Sequence, residues 1–83
     1  MERESIITGV KTAIATVSDV NTENILLADK IKAYVPVIDG PNLAGEINLL
    51  FSKVKMTPLL NNLYDPIAKV SDLVQYINDI YEN

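Results

Sequence analysis

Residues 67–81, IAKVSDLVQYINDIY, place Val70, Leu73, Val74, Ile77, Ile80 and Tyr81 on one side of a helical wheel. Ser71, Asp72, Gln75, Asn78 and Asp79 fall on the other. Apolar residues recurring every three or four positions predict a helix over 68–81 whose apolar face needs a neighbour. A second such stripe lies in residues 4–17, ESIITGVKTAIATV, where Ile6, Ile7, Val10, Ala13, Ile14 and Val17 share a face. Gly9 and the β-branched residues lower the intrinsic propensity there, so packing must hold that helix.

Between these two stripes the pattern is less regular. Residues 18–24, SDVNTEN, are turn formers and end the first helix. From Ile25 to Val37 no period is sustained, which predicts a long loop with one short helical turn, pinned by Ile25, Leu26, Ile31, Tyr34 and Val35. A helix then starts near Gly40–Pro41, since Pro suits the first turn and Gly40 or Asp39 can precede it as a cap. Leu43, Ile47, Leu50, Phe51 and Val54 form its apolar stripe, with Leu49 and Met56 off it. Those two either pack against the loop or form a small exposed contact patch. Thr57-Pro58 signals another helix start, LLNNLY allows only a short one, and Asp65-Pro66 stops it. No segment alternates as a strand does. The expected class is all-α, a small four-helix bundle with three longer helices, one short helix and a long first loop.

A chain of 83 residues makes one domain, 1–83. With neither Cys nor His it has no disulfide or zinc staple, so its stability comes from packing, alone or with a partner. Zero Cys fits a reducing cytoplasm, the expected location. The N-terminal MERESIITGV lacks the unbroken apolar core of a signal peptide, and no run approaches the ~20 apolar residues of a membrane span. Seven basic against eleven acidic residues argue against nucleic-acid binding. The four helix-face acids Asp65, Asp72, Asp79 and Glu82 lack calcium-loop spacing and read as solvated carboxylates. Without His, Cys or a phosphate-binding glycine loop, no enzymatic role is expected.

Three stretches resemble the acyl carrier protein and peptidyl carrier protein family: the final IAKVSDLVQYINDIY, the loop ILLADKIKAYVPVID over 25–39, and the helix carrying Leu50 and Val54. The similarity runs from about Ile6 to Tyr81 and implies that family's four-helix fold and a role in fatty-acid, polyketide or peptide biosynthesis. The family carries 4′-phosphopantetheine on a serine that follows an acid at the start of the second helix. Matching Asp39 to that acid puts Gly40 at the serine position; matching Leu43 to the leucine after the serine puts Asn42 there. Neither residue has a hydroxyl, so no covalent cofactor is expected.

Carrier proteins show an acidic second helix to their enzymes; here Glu46 stands against Lys53 and Lys55. The expectation is a monomer acting through protein contacts, with Asn42, Glu46, Leu49, Lys53 and Met56 as the contact residues. A carrier with its attachment site elsewhere and an unrelated helical adaptor are the alternatives.

Overall fold

The computed structural model describes residues 1–55 and 68–82. The expected short helix after Thr57-Pro58, its stop at Asp65-Pro66 and contact residue Met56 lie outside that range. Three α-helices make up the described fold: α1 over Arg3–Ser18, α2 over Gly40–Leu50 and α3 over Val70–Glu82. Helix α1 packs against both of the others. Among the described residues there is no strand, only an isolated bridge between Lys30 and Lys69, so the fold is all-α.

The predicted stripes are the buried faces. Ile6, Val10, Ala13 and Ile14 of α1 meet Leu43, Ala44 and Ile47 of α2 and Val70, Leu73, Val74 and Ile77 of α3 in one core. Ile7, Val17, Ile80 and Tyr81, at the stripe margins, are half-buried. No polar or charged residue is buried among the described positions, so this core rests on apolar burial. Three hydroxyls of α1 are satisfied locally: Thr12 donates to the Thr8 carbonyl at 2.8 Å, Thr16 to Thr12 at 2.9 Å and Ser18 to Ile14 at 2.7 Å. The helix ends at Asp19, whose N–H still donates to the Ala15 carbonyl at 2.8 Å before the chain turns left-handed at its φ of 63°. Asp tolerates that conformation better than most side chains.

The long connection holds three short 3₁₀ turns, Thr22–Asn24, Ile31–Ala33 and Val37–Asp39. Its order comes from α3. The Val70 N–H donates to the Asp29 carbonyl at 2.9 Å and Ser71 N–H to Leu27 at 3.0 Å, while Ile31 N–H donates to Ala68 at 3.0 Å. The first N–H groups of a helix lack partners within it, and here loop carbonyls supply two. Asp72 completes the cap by accepting the Lys69 N–H at 2.9 Å. Ile25, Ile31 and Val35 are buried as the loop's expected pins, and Tyr34 is half-buried. Leu26 is not a pin. It opens a turn in which Asp29 N–H donates to its carbonyl and its own N–H donates to Asp29 Oδ2, and its side chain is left exposed.

Helix α2 is shorter than its apolar stripe predicts. It stops at Leu50, where Phe51 turns extended and donates its N–H to Ile47 at 2.9 Å. Phe51 and Val54 are buried as expected, but from the turn after the helix. Leu50, expected in the core, is 43% exposed. Phe51 has taken the place against α1: a β-carbon on Gly9 would lie 2.4 Å from Phe51 Cζ.

Candidate contact surface

The start of α2 is built from Asp39, Gly40, Pro41 and Asn42. Asp39 precedes the helix without a side-chain capping bond, and Pro41 occupies its first turn. Of the two candidate attachment positions, Gly40 is buried and Asn42 exposed. Neither offers an oxygen nucleophile. Ser5 and Ser18 lie in α1, Ser71 in α3, and Ser52 in the turn after α2. The hydroxyl nearest α2 in sequence therefore follows the helix instead of beginning it.

Exposed aliphatic residues stand at both ends of α2. Leu49 is 80% exposed, which decides the question of its packing in favour of a surface patch. Ile38, in the 3₁₀ turn that leads into α2, is 85% exposed. Within α2, Asn42, Gly45 and Leu49 recur at spacings of three and four, the period of one helical stripe. Nothing lies within 4 Å of where a Gly45 β-carbon would be, so the middle of the face is an open notch. Of the other expected contact residues, Glu46 is half-buried at the edge of this stripe and Lys53 is exposed in the turn that follows. Sequence reading missed Ile38, which lies before the helix and outside its period.

Lys53 is held rather than loose. Its ammonium sits 5.5 Å from the centroid of the Tyr81 ring, within cation–π range, and its backbone N–H donates to Tyr81 Oη at 3.4 Å. Tyr81 in turn meets Phe51 edge to face at 6.2 Å. The turn after α2 is thereby tied to the end of α3. Charge is also segregated along the chain. Between residues 30 and 55 stand Lys30, Lys32, Lys53 and Lys55 against Asp39 and Glu46, whereas acids outnumber bases in the remainder.

A second polar feature lies across the loop. The Tyr34 hydroxyl donates to Asp29 Oδ2, the same oxygen that accepts Leu26 N–H, and lies 3.1 Å from the Asn24 carbonyl. This bond to Asp29, followed by desolvation and by the nearby carboxylate charge, raises the Tyr34 pKa above its ordinary value. The arrangement braces the loop. Between α1 and the end of α2 runs an open groove of about 440 Å³ lined by Glu4, Ser5, Thr8, Gly9, Thr12 and Leu50. Its Thr12 hydroxyl is already committed to the Thr8 carbonyl. Among the described residues no three His, Cys, Asp or Glu side chains are grouped to hold a metal ion. Nor is any described helix long and apolar enough to cross a membrane.

Comparison with protein-family models, with curated proteins and with solved structures found no match.

Proposed function

We propose that this chain is a carrier-protein-like helical domain that bears no phosphopantetheine arm and works by protein–protein contact through α2. The observation that carries this reading is the combination at α2: no hydroxyl at its start, and exposed aliphatics at both ends, Ile38 in the lead-in turn and Leu49 in the helix. Isolated exposed aliphatics are ordinary, but two flanking a helix with an open glycine make a surface suited to docking. The helix order and the long α1–α2 connection pinned to α3 support the carrier-like layout. Biosynthetic enzymes of the fatty-acid, polyketide or peptide type are the partners this layout suggests.

The charge of the surface selects among partners. Lys53, positioned by Tyr81, and the exposed Lys55 favour an acidic partner surface over the basic one that meets an acidic carrier helix. At about 0.15 M salt only charges within roughly 8 Å act strongly, so the lysines work at contact and in steering. The test is a pull-down from the source cell with the wild type beside Lys53→Glu/Lys55→Glu. The wild type is expected to enrich acidic proteins that the double variant loses. Equal recovery of the same proteins by both forms rules out α2 as a charge-selective contact surface.

A further inference from the structure

Residues 26–30 run between two buried pins, Ile25 and Ile31, yet no side chain among them is buried. Leu27 and Asp29 are half-buried and the other three are exposed. Burial of apolar surface therefore fixes the two ends of this stretch and does little for its middle. Hydrogen bonds hold the middle instead. The carbonyls of Leu27 and Asp29 accept the N–H groups of Ser71 and Val70, at 3.0 and 2.9 Å. The stretch lies as a strap over the start of α3.

The aim of those two carbonyls depends on the turn from Leu26 to Asp29, which Asp29 closes twice. Its N–H donates to the Leu26 carbonyl at 3.1 Å, and its Oδ2 accepts the Leu26 N–H at 3.1 Å. Tyr34, beyond the second pin, donates its hydroxyl to the same Oδ2. Asp29 thus joins three parts of the chain: its side chain holds the turn and Tyr34, and its carbonyl holds α3. We propose that residues 26–30 open and close as one unit with the first residues of α3, separately from the core, and that the Tyr34 hydroxyl, acting through Asp29, is the latch. When the strap lifts, Val70 and Ser71 lose their acceptors together, because the first N–H groups of a helix have no partner within it. The two pins stay buried, so the opening exposes little apolar surface and costs less than global unfolding. The latch makes no use of α2 and stands or falls apart from the docking reading.

Amide hydrogen exchange on the full chain reads the strap residue by residue. In the wild type, Val70 and Ser71 should share one opening equilibrium and exchange faster than Ile14 in the buried face of α1. Tyr34→Phe keeps the ring and removes the hydroxyl. It should speed exchange at Val70 and Ser71 about tenfold and leave Ile14 unchanged. Asp29→Ala keeps the backbone carbonyl that Val70 uses, so faster exchange there reports the lost shape of the turn. The double variant should be no faster at these amides than Asp29→Ala alone, since both changes act through one contact. Asp29→Asn, whose amide oxygen still accepts, should restore most of the protection. Val70 and Ser71 exchanging only as slowly as Ile14 in the wild type would show that no separate opening exists. Rates at these two amides that ignore Tyr34→Phe, or that rise in step with Ile14, would remove the latch. Effects that multiply in the double variant would also overturn it, because Tyr34 would then act by a route other than Asp29. Should Asp29→Ala fail to fold, the wild type and Tyr34→Phe decide the matter between them.

Discussion

The ring of Phe51 lies directly on the α1 backbone at Gly9, with Cζ 2.4 Å from the place a β-carbon would occupy. Glycine in a helix interior normally costs stability relative to alanine, by roughly 0.5–1 kcal/mol. At this position the missing side chain is what admits the aromatic ring, which belongs to the first residue after α2.

Gly9→Ala is accordingly expected to destabilise the fold despite its better helix propensity. Overpacking against a buried ring costs about 1–3 kcal/mol. Gly45→Ala, with nothing within 4 Å, should instead stabilise by roughly 0.5–1 kcal/mol. Urea denaturation of the two variants checks both signs. A more stable Gly9→Ala would mean that Phe51 does not occupy this place.

Leu50 and Ile77 separate in the same experiment. Ile77 is fully buried, and Ile77→Ala should cost about 2–5 kcal/mol, a large share of a small domain's stability. Leu50→Ala, at a partly exposed site, should cost less, about 0.5–1 kcal/mol. Equal losses at both positions would restore Leu50 to the core.

Tyr34 gives a pH prediction. Its raised pKa means that the neutral phenol is favoured in the folded state. That contribution is fully present below the unfolded tyrosine value of about 10 and is lost as pH rises through the higher folded value. In a spectroscopic titration of the tyrosines one group should ionise late, and Tyr34→Phe should abolish that late step. Tyr34→Phe should also make stability less dependent on pH above about 10. A titration curve unchanged by the substitution would show that Asp29 does not hold this proton.

Incubation with coenzyme A and a broad-specificity phosphopantetheinyl transferase should leave the intact mass unchanged. Neither Gly40 nor Asn42 has a hydroxyl to accept the group. Asn42→Ser and Gly40→Ser then ask which position matches the attachment site, and at most one should gain the mass. Exposure now favours Asn42 for access, because Gly40 is buried. A mass gain by the wild type would overturn the arm-free reading, and peptide mapping would locate the modified residue.

What the sequence determined by itself is local. The stripes of α1 and α3, the buried pins Ile25, Ile31 and Val35, and the lack of a hydroxyl at the start of α2 were all legible. A helical period records which face must leave water, whatever it packs against. Of the expected contact residues, Lys53 is exposed as its charge implies, whereas the sequence left Leu49 open between two placements and its 80% exposure decided it. Tertiary structure alone decided the end of α2, the exposure of Leu50 and Leu26, and the prominence of Ile38. Leu50 and Phe51 are apolar neighbours, and it is Phe51 whose ring lies on Gly9, more than forty residues earlier, a contact that no local period encodes. Likewise the loop's order depends on carbonyls that answer the unpaired N–H groups of α3, a pairing between distant segments that no local period encodes.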